Sequence, residues 1–268
     1  MGSSAALYLR LVHAQVRSQL QYRVSFVLYL AGSFVLTITE FLGIWVIFHQ
    51  LPTLRGWTLP EVAFLYGTSY VSFKCTDMVL GHLDTLPDLV RMGQLDTVLT
   101  RPAGSLFQVI SSDFALRHLG SIAQGALILG WAIASLSIDW NLARLGSFVV
   151  MLVCGGLIFG SIWVVGASTV FWTGGNGSEV LNTFTYGGNQ LSSYPIDIYA
   201  GWLRRLVAFI IPLGFVNYFP ALYILDREAA FGSSTVLRFM SPFVAIVLVV
   251  IARQVWQLGI RNYRSTGS

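Results

Sequence analysis

The sequence predicts an all-α membrane protein with six transmembrane helices, an N-terminal amphipathic interfacial helix and a re-entrant helical hairpin before the last span. Three observations carry that reading. The 268 residues are 55% hydrophobic and only 10% charged, against about 25% charged in a soluble domain, so too few charges remain to cover a water-facing surface. Mean hydropathy is +0.68. The apolar residues gather into stretches long enough to cross a bilayer, which takes about 20 residues per helix. The one polar interruption of any length, His82 to Ser105, falls between the second and third of them.

Taken in order, Ala5–Arg23 reads as a surface helix. Tyr8, Val12, Val16 and Leu20 form one stripe, with Arg10, Arg17 and Gln21 elsewhere on the wheel. A basic amphipathic helix beside a span lies in the interface plane; a disordered basic tail is the other reading. No apolar core followed by a small-residue cleavage site precedes Arg23, so no removable signal is expected. The spans are Val24–His49, Glu61–Leu80, Leu106–Leu136, Leu145–Trp172, Ser178–Tyr194 and Phe239–Gly259. Between the last two, residues 195–231 hold Pro195, Pro212 and Pro220, and neither apolar half is long enough to cross alone. Proline removes a backbone donor and breaks a helix, which favours two short helices meeting near Pro212 over one broken span. Backbone freed at that depth must be buried in protein or lie beside water.

Arginine sets the orientation. Arg10, Arg17 and Arg23, then Arg91 and Arg101, then Arg253, Arg261 and Arg264 fall on one side of six spans, taken as cytoplasmic, with both termini there. Arg204, Arg205, Arg227 and Arg238 fall outside, and a seventh span would reverse the C-terminus. The net charge of +4 thus reports topology, not nucleic-acid binding.

Charges within spans are costly, about 2.5–3.5 kcal/mol each on insertion scales. Lys74 and Asp77 lie three apart on one helix face. They read either as a polar point on a substrate path or as an intrahelical pair near the interface. Glu40 is lonelier and should face a cavity or a partner. Asp113 and Arg117 read as a structural pair. Gly156 and Gly160, four apart in the fourth span, permit close helix packing without naming the neighbour. Phe171, Trp172, Trp202, Tyr218 and Tyr223 suit interfacial belts.

Several chemistries find no support. No phosphate-binding Gly-rich loop ending in Lys-Ser/Thr is present, so no ATP hydrolysis of that type is expected in this chain. Gly166-Ala167-Ser168 has no histidine after it to serve as base, because the four histidines are His13, His49, His82 and His118. His82, Asp84 and Asp88 match no strong metal-ligand spacing. Cys75 and Cys154 read as small core residues. No catalytic, metal or cofactor site is expected.

The polar loop, 81–105, contains a short helix. Asp84 or Thr85 is placed to cap it, Pro87 suits its first turn, and Gly93 falls near its end. Leu86, Leu89 and Val90 sit at helical spacing, and Arg101-Pro102 stops the element. One apolar face with a few charges suits a docking knob; a loop helix lying on the membrane is the plainer reading.

Here the chain resembles the ABC-2 type permeases, in the branch of ABC-2 family transporter proteins of similar length. The resemblance covers nearly the whole chain. It rests on Tyr22-Arg23 entering the first span, on Val90-Arg91-Met92-Gly93-Gln94-Leu95-Asp96 with Leu99-Thr100-Arg101-Pro102, and on the stretch from Phe209 through Pro212, Phe215, Asn217 and Tyr218 to Pro220. It implies one transmembrane domain over 1–268, in a bacterial inner membrane, with a coupling helix in the second loop. Leu86, Leu89, Arg91, Gly93, Leu95, Asp96, Arg101 and Pro102 would meet a separate ATPase subunit that binds ATP and Mg. It also implies a second permease chain, related or identical, and an amphiphilic cargo such as a lipid or drug, exported by alternating access. Under that reading Glu40, Lys74 and Asp77 mark the path, while Pro195, Pro212, Phe215, Tyr218 and Pro220 form an outer gate. The acidic pair Asp84 and Asp88 departs from the pattern and, if it faces the ATPase, calls for a basic groove there. A lipid-modifying membrane enzyme and an ATPase-free channel or scaffold are the rival classes.

Overall fold

Helices account for all the regular structure among the described residues of this computed structural model, which are 21, 23–100, 104–112, 114–174, 178–228 and 235–263. The surface helix expected over 5–23 lies almost wholly outside them, as do Arg101, Pro102 and Asp113. The first span is helix α1, Arg23–Gln50, and the second is α2, Leu59–Leu80. Pro60 fits the first turn of α2, and the Glu61 carboxylate accepts from the Thr58 N–H (2.8 Å) and hydroxyl (2.7 Å). Helices α3 (Leu86–Arg91), α4 (Gln94–Leu99) and α5 (Ser105–Ser111) fill the polar loop and its exit. Then come α6 (Leu119–Ser135), α7 (Leu142–Ser168) with its short continuation α8 (Val170–Thr173), and α9 (Ser178–Ser192). The last group is α10 (Gly201–Arg205), α11 (Tyr218–Ile224) and α12 (Ser241–Asn262). Asn141 caps α7 by accepting from the Arg144 N–H at 2.8 Å.

Among the described residues, four helical stretches are long and apolar enough to cross a membrane: Leu30–Gln50, Leu116–Ser135, Leu142–Thr173 and Ser241–Asn262. A fifth is added if the bent pair Gly201–Ile210 and Leu213–Ile224, meeting at 67°, counts as one span. Helices α2 and α9 carry more polar residues; α2 lies in the interior, and α9 buries one polar face while Phe184 and Tyr186 stand exposed. Val62 to Tyr70 of α2 are buried without a gap, and Thr185, Asn189 and Ser192 of α9 are buried, as is Ser193 just after it. A helix enclosed by protein need not be apolar all round.

The expected third span, Leu106–Leu136, is not one helix. It breaks between α5 and the turn Leu116–His118 that leads into α6. The hydroxyls of Ser111 and Ser112 donate back to the carbonyls of Gln108 and Val109, and the Ala115 N–H turns aside to the Met78 carbonyl of α2 at 3.1 Å. Short polar side chains compete with the helical ladder in this way. The break leaves α5 as a separate element across the foot of the bundle.

Small residues set the packing around α2. A Cβ at Gly67 would stand 2.8 Å from Leu129 Cβ of α6, and one at Gly160 would stand 2.9 Å from Leu80 Cδ1. The partner of the Gly156–Gly160 face is therefore α2. Thr76 and Ser72 of α2 donate to the carbonyls of Gly156 and Leu152 at 3.1 Å each. Helix α1 packs mainly on α6 and leaves Val27, Leu28, Val35, Leu42, Trp45 and Val46 exposed. Of the expected belt aromatics, Trp172 and Trp202 are exposed, whereas Phe171 and Tyr218 are buried in the core.

Candidate functional site

Two polar assemblies are built at opposite ends of α2. The first is the loop after Leu80. A 3-10 turn, Gly81–Thr85, leads into α3, whose first turn holds Pro87. Thr85 occupies the position before α3, but its hydroxyl donates to the His82 carbonyl (2.8 Å) and does not cap. Gly93 adopts φ 68°, a left-handed conformation that glycine takes without a Cβ penalty, and this lets α4 turn away from α3. The result is a helical corner with two faces. Leu83, Leu86, Val90 and Leu95 point inward and are buried, while Asp88, Arg91, Met92, Gln94 and Thr97 point outward. Leu86 and Leu95 were expected among the docking contacts; they instead fix the corner to the membrane bundle, because an apolar side chain so placed finds its own core first. Leu89, Gly93 and Asp96 lie at the border. Arg91 and Asp88 approach only to 3.9 Å and both are solvent-exposed, so they add little stability.

Asp84 corrects the expectation of an outward acidic pair. Its carboxylate accepts from Trp163 Nε1 of α7 (2.9 Å) and from the Tyr186 hydroxyl of α9 (2.8 Å). Burial pushes its pKa above the usual carboxylate value, partly offset by these two bonds. Asp88 alone remains outward. Above Asp84, Phe73 stacks on Trp163 with ring centroids 5.4 Å apart, and Tyr186 sets its edge to both rings. Lys74 Nζ bonds Asp77 at 2.9 Å and sits 5.3 Å from the Phe73 ring centre. His118 Nε2 is 3.5 Å from the other Asp77 oxygen. Lys74 and Asp77 are thus paired, one turn above the loop. Glu40 is not joined to them by an ion pair or hydrogen bond. It lies on the exposed face of α1 and accepts from the Tyr66 hydroxyl at 3.3 Å.

The second assembly holds the hairpin before the last span. Buried Asp197 accepts from Trp57 Nε1 (3.0 Å) and the Tyr218 hydroxyl (2.6 Å). Arg227 stacks on the Trp57 ring at 4.3 Å, bonds Glu61 at 2.9 Å and donates to the Gly56 carbonyl at 2.7 Å. Asn217 donates to the carbonyls of Leu65 and Ser192 at 2.8 and 2.9 Å, satisfying backbone groups of two helices at once. Pro195, Phe215, Tyr218 and Pro220 are buried and Pro212 is half-buried at the turn, while Phe209 and Ile210 stand exposed on the outer arm. Trp57, Asp84, Asp197 and Arg227 have no local signature in sequence, since their partners lie 21 to 171 residues away. The buried Ser168 hydroxyl is spent on the Val164 carbonyl of its own helix.

The described residues form a helical membrane bundle with a small exposed corner at one end and a pinned hairpin at the other. The chain belongs to the ABC-2 family transporter proteins, whose family model matches residues 34–267. No curated protein and no solved structure matches it. It is thereby a permease component of an ABC transporter, a membrane part that works with an ABC ATPase subunit.

Proposed function

We propose that this chain forms half of the translocation path of an exporter for an amphiphile, with its power stroke received through the α3–α4 corner. The single observation that carries this is the two-faced corner. Its inner face is buried at Leu86 and Leu95 and tied to α7 and α9 through Asp84, and its outer face offers Asp88, Arg91, Met92 and Gln94. A knob so fixed transmits a push as a rigid-body displacement instead of absorbing it locally. Arg101 and Pro102 extend the same contact in sequence.

In this reading α1, α2, α6, α7, α9 and α12 cross six times, with both termini and the corner on the cytoplasmic side. The interior position of α2 and the buried polar face of α9 support counting them as spans despite their polarity. The exposed face of α1, with Glu40 among apolar residues, suits a seam with a second permease chain, identical or related. Lys74 and Asp77 stand where the corner meets the bundle, and the hairpin around Pro212, with Pro195, Phe215, Tyr218 and Pro220 behind it, closes the outer end. Closure of two ATP-bound ATPase subunits would draw two corners together and rock the halves apart outside.

The test is copurification and coupling. The chain purified in mild detergent should bring an ATP-binding subunit whose ATPase activity responds to lipid-like cargo. Arg91→Glu combined with Met92→Asp should release that subunit while the permease still folds. An ATPase that stays bound and coupled in this variant would remove the docking assignment.

A further inference from the structure

A crevice of about 1080 Å³ opens between α2, α5, α7 and α12, and it shares no residue with Glu40, Lys74 or Asp77. Gly156 and Gly160, packed on α2, lie at the back of the α7 wall, and Val153 and Leu157, both exposed, stand where it meets the bundle's outer surface. At its foot Trp256 Nε1 bonds the Ser105 hydroxyl at 3.1 Å, tying α12 to α5. The lining is almost wholly apolar except at one edge, where Arg253 and Gln257 stand one turn apart on α12. Arg253 is exposed and has no ion-pair or hydrogen-bond partner among the described residues. Arg261 continues the same side of the helix two turns on.

We infer that this crevice is a site for one anionic phospholipid of the cytoplasmic leaflet, its acyl chains along the apolar wall of α7 and its phosphate at Arg253. In a bilayer an apolar crevice gains little by exchanging one hydrocarbon for another, so selectivity must come from the headgroup. An unpartnered arginine beside an amide at the mouth supplies it, as basic pockets between spans do on cytoplasmic faces. The inference needs the membrane reading of α2, α7 and α12 but not the transport reading, and stands whether or not an ATPase copurifies.

The test uses the purified complex, exchanged through nanodiscs of phosphatidylglycerol and phosphatidylcholine in equal amounts and released into mild detergent for native mass spectrometry. The wild-type permease should retain one phosphatidylglycerol, favoured about fivefold over phosphatidylcholine, as one surface arginine allows. Arg253→Gln should abolish the preference, and Val153→Trp, which fills the crevice from its exposed side, should remove retained lipid of both kinds. Equal retention of the two lipids by the wild type would overturn the inference. So would an unchanged preference in Arg253→Gln, undiminished lipid in Val153→Trp, or a retained mass that is not a phospholipid.

Discussion

Asp84 and Asp197 are both carboxylates that sequence alone leaves as loop residues, and both close on a tryptophan N–H and a tyrosine hydroxyl. The sequence shows that such residues exist but not that they meet, because hydrogen bonding over such separations follows from packing alone. Lys74 and Asp77 were legible as a pair, since their spacing of three fixes the contact locally. Two predictions belong here. Asp197→Ala strands two buried donors, at about 1–3 kcal/mol each. Its thermal midpoint in nanodiscs should therefore fall further than that of Tyr218→Phe, which keeps the ring and deletes only the hydroxyl that bonds Asp197. Asp84 has a raised folded-state pKa, so its contribution is fully present below the unfolded carboxylate value and is lost as pH rises through the folded value. The midpoint of Asp84→Asn minus that of the wild type should accordingly rise as pH climbs from the unfolded carboxylate range toward neutrality; a constant or falling difference would contradict the assignment.

At the scale of elements, hydropathy and turn chemistry located most helices to within a few residues. Pro60 and Pro242 open α2 and α12 in their first turns, and Gly93 turns the corner. The break inside the third expected span was not legible, because it depends on the Ala115 N–H reaching the Met78 carbonyl of another helix. The direction of the α3–α4 corner was half legible. Its apolar spacing was visible, but that face serves the bundle, and the residues left for a partner are the charged and polar ones opposite. Gly93→Ala places a Cβ on a left-handed backbone and should cost about 1 kcal/mol. The deficit should appear as weaker ATPase coupling with the bundle's thermal midpoint nearly unchanged; normal coupling would show that the corner's shape is not used.

Across the whole molecule, two ends of α2 carry the two polar assemblies, and α7 joins the first to the crevice. An apolar outer surface over α1, α6, α7 and α12 is the face expected of a bundle whose solvent is lipid. The composition made that class plain; the arrangement of spans around a buried α2 was not, since no local pattern distinguishes a polar helix in water from one enclosed by its neighbours. The account's central claim is that the exposed side of the α3–α4 corner is where this permease meets its ATPase. A photo-crosslinking amino acid in place of Met92 in intact cells tests it most directly, with Trp202, exposed on the hairpin, as the control position. The account predicts an adduct with an ATP-binding subunit from position 92 and none from position 202; capture from 202 alone, or labelling of position 92 by a membrane-impermeant reagent from outside, would contradict it.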